Sequence, residues 1–224
     1  MVGFTGKAKK AAALVLSVLL AAVLVPSFAE TPEIEYAPDQ VVLTFAEYLE
    51  QGGVEWFLTG KKAYSVQAMM VSGETSFHND LEVTDYTVTD DGVTVVLKGS
   101  FDEMWASKLS KVISTYTKPD GSELSEADFA VRDVYIDIIT RPEPDAYYAM
   151  YVPLSVSVTV ETAWGDVLHT NLPNAPHGSG DFLLCRTDEN GGPDLSDVWI
   201  LNGVVFPEYY ESGNWVQTPE NDAA

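Results

Sequence analysis

Apolar and polar positions along the chain change period near residue 131, and that change organises the prediction. Before it, the 3.6-residue spacing of helices dominates. Asp39 can cap a helix running to about Gln51, in which Val41, Val42, Phe45, Tyr48 and Leu49 share one face and Gly52-Gly53 ends the run. A second helical stretch is predicted over Val54 to Val71, with Gly60 as its weak point. The clearest local signal is Ser100-Phe101-Asp102-Glu103, which reads as a capping box. Behind it Phe101, Met104, Trp105, Leu109, Val112, Ile113 and Tyr116 recur at helical offsets up to the Pro119-Asp120-Gly121 turn. Between these helices, Leu81 to Val88 and Val93 to Leu97 flank Asp90-Asp91-Gly92 and predict a β-hairpin.

From Val131 onward the period is 2. Arg132, Val134, Ile136 and Ile138 alternate with Asp133, Tyr135 and Asp137, and Val152, Leu154, Val156, Val158 and Val160 alternate with polar neighbours. One buried and one wet face is the signature of an antiparallel sheet. Further strands are predicted at Val167 to Thr170, Phe182 to Arg186, Val198 to Leu201 and Val204 to Phe206, the last two joined by Asn202-Gly203. The pattern therefore predicts an α+β domain, with N-terminal helices and one central amphipathic helix packed on a curved, mostly antiparallel sheet. Cone-shaped cystatin-like and nuclear-transport-factor-like folds are similar in architecture, and that likeness transfers no function.

The first 29 residues read as an address. Lys7, Lys9 and Lys10 precede the apolar run Ala11 to Val25, and Pro26-Ser27-Phe28-Ala29 places small residues at a cleavage site after Ala29. Fifteen apolar residues make a helix of about 22 Å, shorter than a hydrocarbon core of about 30 Å, so cleavage rather than anchoring is expected. Residues 30–38 are then a Pro-punctuated linker, 39–211 one domain, and 212–224 a flexible polar tail. With no second apolar run, no membrane span is expected after cleavage.

Composition changes the picture through charge. The chain has 34 Asp and Glu against 12 Lys and Arg. Three of the bases lie in the signal segment, so the mature 195 residues (224 − 29) carry 9 − 34 = −25 formal charges. Such a field repels phosphate backbones and anionic lipid, and the basic stripe required for nucleic acid is missing. An extracellular protein, peptide or glycan remains open as partner. The single Cys185 forbids an internal disulfide, so the domain must be held by its core, which is feasible at a size that buries about 70% of its unfolded surface.

Catalytic patterns are sparse. Asp133 and Asp137 would stand about 13 Å apart on one strand face, too far for a glycosidase pair. His169, His177 and Asp181 could supply a His, His, carboxylate zinc set, but their spacing matches no compact metal signature. Asp188, Asn190, Asp194 and Asp197 surround a Gly191-Gly192 turn. These are oxygen ligands of the kind calcium takes, without the EF-hand order, and a solvated turn between two strands is the competing reading. No nucleophile elbow, phosphate-binding loop or dinucleotide fingerprint occurs, and no cofactor is implied.

His177 lies before Cys185, which Arg186 follows directly. That order resembles secreted cysteine transpeptidases of the bacterial wall, in which a His and an Arg activate a thiolate. The Ser-His-Gly-Cys box of L,D-transpeptidases and the Thr-Leu-x-Thr-Cys strand of sortases are both absent, and Phe182-Leu183-Leu184 predicts a buried thiol. Aromatic residues supply the other hint. Tyr147, Tyr148 and Tyr151 before the longest predicted strand, with Tyr209, Tyr210 and Trp215 after the last, could face a ligand outside the core. The leading expectation is an exported, acidic, non-enzymatic binding or interaction module of the extracellular space or bacterial envelope. The alternative is an envelope hydrolase or transpeptidase using Cys185 with His177 or His169.

Overall fold

The computed structural model describes residues 34–52, 55–163, 165–176 and 179–212. The signal segment, residues 30–33 of the linker, His177 and Trp215 lie outside the described residues.

Strands dominate, and the predicted α+β arrangement is overturned. Among the described residues there are fourteen strands and three α-helices, none longer than seven residues. In chain order they are β1 (Val41–Thr44), α1 (Phe45–Gln51), β2 (Phe57–Lys61), β3 (Ser65–Met69), β4 (Thr75–Asn79), β5 (Thr84–Val88), β6 (Thr94–Lys98) and β7 (Met104–Lys108). Then follow α2 (Leu109–Thr115), β8 (Tyr116–Thr117), β9 (Ile136–Thr140), β10 (Glu143–Tyr151), β11 (Val156–Glu161), β12 (Val167–His169), β13 (Phe182–Thr187), β14 (Pro193–Leu201) and α3 (Phe206–Tyr209). They form sheets ordered β1-β11-β12, β14-β13-β10-β2, β7-β6-β3-β9-β8 and β4-β5, in place of one curved sheet.

Each misread helix has a local cause. The first begins at Phe45, because Val41–Thr44 pair in parallel with Val156–Thr159. Its cap is Thr44 and not Asp39: the Glu47 N–H donates to Thr44 Oγ1 at 3.2 Å, and the Thr44 N–H donates to the Glu47 carboxylate at 2.8 Å. The predicted helix Val54 to Val71 is two strands, with Val66 and Ala68 buried at period 2. Gly60 is required there, since a Cβ would lie 2.9 Å from the Pro144 Cα on the neighbouring strand.

The predicted central helix is strand for its first half. Ser100 caps nothing; its N–H donates to the Tyr209 hydroxyl at 3.2 Å. Glu103 is only 7% exposed, accepts from the Phe101 N–H and takes the Tyr209 O–H. β7 then packs both faces, Trp105 against the core of the five-stranded sheet and Met104 with Ala106 against Val71, Val88 and Val96. A strand apolar on both faces imitates helical offsets. Only Leu109–Thr115 keep the predicted helical role, with Leu109 and Val112 buried beside Val66, Leu97 and Ile138; Tyr116, also buried there, already belongs to β8.

Four strand readings change as well. The strand read from Val131 begins only at Ile136, with Val131 and Val134 exposed. Asp91-Gly92 is a turn, with Gly92 at φ 72° and Asp91 Oδ1 accepting from Val93 and Thr94. It links β5 to β6 without pairing them, since β5 pairs β4 and β6 lies between β3 and β7. The long strand expected from Val152 breaks at Pro153-Leu154, so β10 and β11 join different sheets. After Asn202-Gly203 the chain enters α3 rather than a strand, with the Val205 and Phe206 N–H groups donating to the Asn202 carbonyl.

The four-stranded sheet is buried on both sides. Met150, Leu183, Cys185 and Val198 face Tyr48 of α1 and Val158 and Val160 of β11. Tyr147, Ala149, Phe182 and Leu184 face Val205, Phe206, Tyr209 and Tyr210 around α3, where the Phe182 and Phe206 rings stack at 3.8 Å. Double burial is the reason Phe182-Leu183-Leu184-Cys185 is an unbroken apolar run.

Candidate functional site

The α3 side of the four-stranded sheet ends in a cluster of tyrosines and cations. Antiparallel pairing aligns Thr59, Tyr147 and Arg186 across β2, β10 and β13, and sets Glu143 opposite Lys61. Tyr147, Tyr116 and Tyr210 are 3%, 6% and 6% exposed, so their rings form a floor. Over it the Lys61 Nζ lies 5.7 Å from the Tyr64 ring centre and 5.8 Å from that of Tyr116, and the Arg186 guanidinium lies 4.9 Å from that of Tyr147. These are cation–π distances.

Charge at this cluster is unevenly matched. Glu143 accepts the Tyr147 O–H and approaches Arg186 Nη1 at 3.4 Å. Burial alone would raise the Glu143 carboxyl, but the Tyr147 hydroxyl and Arg186 together hold it below the usual range. Burial pushes the Lys61 ammonium down to about 8, more than the attraction of Glu143 restores, and Arg186 and Lys111 of α2 push the same way as burial.

The tyrosines predicted to face a ligand are thus divided. Tyr147, Tyr209 and Tyr210 are core residues, Tyr209 stacked on Tyr64 at 3.8 Å. Tyr148 and Tyr151 are half-buried; the Tyr148 O–H donates to the Gly191 carbonyl, and the Tyr151 hydroxyl accepts from the Gly180 N–H. Sequence reasoning missed Lys61, Tyr64 and Tyr116 because they lie far apart in the chain and on elements read as helix. The signal that could have found them is the scarcity of bases in so acidic a chain.

Cys185 is fully buried, its thiol pushed up to about 12 by that burial. Its cross-strand neighbours are Tyr148 and Val198, and Arg186 points to the opposite face of the sheet, so the two do not form a catalytic pair.

His169 and Asp181 are likewise engaged in structure. His169 Nδ1 is 3.2 Å from the Tyr36 hydroxyl and 3.1 Å from Thr159 Oγ1, and burial lowers its pKa. Asp181, 3% exposed, accepts from the Asn171 N–H at 2.6 Å and from the Gly203 N–H at 3.0 Å.

Asp188 to Gly192 form the β13–β14 turn, whereas Asp194 and Asp197 lie on β14. Asp188 Oδ1 accepts from the Asn190 and Gly192 N–H groups, both at 2.8 Å, which holds its carboxyl below the usual range; Asp194 Oδ1 accepts from Ser196. Asp197 Oδ1 is buried without a partner. Among the described residues no three His, Cys, Asp or Glu side chains converge as metal ligands.

Among the described residues, the surface carries two open depressions worth comparing with the cluster of tyrosines and cations. One of about 240 Å³ is lined by Gln67, Lys98, Ser100 and Asp137. The other, about 410 Å³, lies on the β4–β5 hairpin, where His78 Nδ1 is 2.8 Å from Asp85 Oδ1 and its Nε2 is 3.6 Å from Asp80 Oδ1.

The fold and these surfaces define a mostly-β domain with a cation–tyrosine cluster at one sheet end. Comparison with protein-family models, with curated proteins and with solved structures gave no match. No helix among the described residues is long and apolar enough to cross a membrane.

Proposed function

We propose that the chain is exported, loses residues 1–29, and acts outside the cell as a non-enzymatic binding module that engages its ligand on its outer surface. The observation that carries this reading is the cluster around Lys61: half-buried cations gathered on tyrosine rings, at one end of a sheet whose two faces are otherwise filled. Interfaces favour such amphipathic, pre-positioned groups, because rings and cations already held in place lose little entropy on binding. The burial of Cys185 speaks against the thiol-enzyme alternative, since a thiol held near 12 has almost no thiolate at neutral pH.

The test is thiol labelling of the native, mature chain. Cys185 should resist an aromatic disulfide reagent until denaturant is added. Labelling within seconds at pH 7.5, with a titration midpoint below 8, would overturn the reading in favour of a cysteine enzyme.

A further inference from the structure

We propose that the surface formed by Lys61, Lys111 and Arg186 is a binding site for a single oxyanionic group, a carboxylate or phosphate carried on a small ligand. This deepens, and rests on, the binding-module reading.

The argument begins from pairing. Nine Lys and Arg lie among the described residues. Five have a carboxylate within ion-pair reach: Lys98, Lys118, Arg132, Arg141 and Arg186. Lys61, Lys62, Lys108 and Lys111 have none, in a chain with 34 acidic residues, and of these four Lys61 is the one drawn over aromatic rings. Lys61 is not a solvated surface lysine either. Its ammonium is drawn over two ring faces, and burial there depresses its pKa. Desolvating an ammonium costs more than cation–π contact returns. Glu143, the carboxylate opposite, is already engaged by Tyr147 and Arg186, so a ligand anion would complete a countercharge that Glu143 supplies only in part.

Arg186 supplies the geometry. It is 53% exposed, and its plane is fixed by the Tyr147 ring on one side and by Glu143 at 3.4 Å through a single nitrogen. The remaining guanidinium donors are free to grip an oxyanion in the forked manner that suits arginine. Lys111 lies on α2, which runs directly into Tyr116, the ring beneath Lys61, and its charge adds to the positive field there.

The rest of the molecule selects the size of the ligand. A chain of net charge −22 repels polyanions at long range, so a sulfated glycan or nucleic acid meets a barrier that one anionic group does not. Three cations set against the one carboxylate of Glu143 suit one group of one or two charges.

The experiment is calorimetric titration of the mature full chain with inorganic phosphate and with N-acetylalanine, a model of a terminal carboxylate. Chloride at equal ionic strength is the reference. Saturable binding of either probe beyond chloride is expected, weakened at least tenfold in Lys61→Met and in Arg186→Met and unchanged in Lys98→Met. Preference for phosphate identifies a phosphate-bearing ligand, and preference for N-acetylalanine a carboxylate-bearing one. Should Lys61→Met fail to fold, Lys111→Met, on the solvent side of α2, provides the same comparison. Titrations indistinguishable from chloride, or binding insensitive to all three cations, overturn the site. If binding is found but Cys185 labels rapidly, the binding-module reading fails and the oxyanion site stands; if Cys185 is inert and titration is flat, only this inference fails.

Discussion

Lys61 illustrates how one residue carries a measurable consequence of the fold. An unfolded lysine titrates near 10.5, whereas burial over Tyr64 and Tyr116 brings this one to about 8 in the native state. Between those values the unfolded chain binds more protons than the folded one, so stability rises with pH across pH 8 to 10. The cost of the buried charge is fully present below pH 8. Its removal amounts to about 1–3 kcal/mol, allowing for the solvent that still reaches the side chain. Tyrosines act oppositely. Burial raises the pKa of Tyr64, Tyr116, Tyr147, Tyr209 and Tyr210 above 10, so the folded state holds protons that the unfolded state sheds, and stability falls once pH passes 10. Urea denaturation from pH 7 to 11 should therefore show a maximum between pH 8 and 10. In Lys61→Met the rise should vanish and the fall should remain. A wild-type curve that declines steadily from pH 7 would show that Lys61 is solvated as an ordinary lysine.

At the scale of elements, the sheets are tied by a buried polar knot. Asn171 sits at φ 56°, a conformation asparagine tolerates, and its amide donates to the carbonyls of Val152, Pro153 and Val156 while its oxygen accepts from the Asp181 N–H at 2.8 Å. One side chain thus joins the ends of β10 and β11 to the start of β13, across two sheets. Gly180 completes the approach, for a Cβ there would collide with the Val152 carbonyl. Asn171→Ala leaves several buried backbone groups without partners, at about 1–3 kcal/mol each, and is expected to lower unfolding free energy by more than about 3 kcal/mol. Asn171→Gly, which relieves the positive φ, should recover about 1 kcal/mol of that. A loss below about 1 kcal/mol in Asn171→Ala would mean that water replaces the side chain.

The same elements show what was legible in the sequence. Period-2 burial at Ile138, Val158 and Val160, and the unbroken run at Phe182 to Cys185, are legible because each depends on one or two sheet faces. The Thr44-x-x-Glu47 box was also present in the chain and signals the true start of α1. The stretch from Ser100 to Lys108 was not legible: its helix signals are real, but pairing of Met104–Lys108 with Thr94–Lys98 and the capture of Glu103 by Tyr209, 106 residues away, override them. The cation–tyrosine cluster is invisible for the same reason, since Lys61, Tyr116, Tyr147 and Arg186 meet only through strand order.

For the whole molecule, charge sets the balance. The net charge is −22, so uniform self-repulsion opposes compaction, while the ion pairs of Lys98, Lys118, Arg132, Arg141 and Arg186 favour it. Salt weakens both. Pairs of this exposure contribute about 0–1 kcal/mol each, and their partners remain near one another even when screened. Repulsion acts between many charges at longer range, and the Debye length shrinks from about 30 Å at 0.01 M to about 3 Å at 1 M, so repulsion loses more. Raising sodium chloride from 0.01 to 0.5 M should therefore raise the melting temperature, by about 2–4 °C for each kcal/mol of relief in a domain of this size. Chloride is the appropriate anion, because sulfate and phosphate also strengthen apolar burial. A melting temperature that falls with chloride would mean that the five pairs outweigh the excess of 22 acids. The comparison also isolates the Lys61 surface: general screening is the same for chloride and for phosphate at equal ionic strength, and the uniform gain from burial would appear equally in Lys61→Met and Arg186→Met. Only the part of the phosphate effect that disappears in those two variants belongs to an oxyanion held between them.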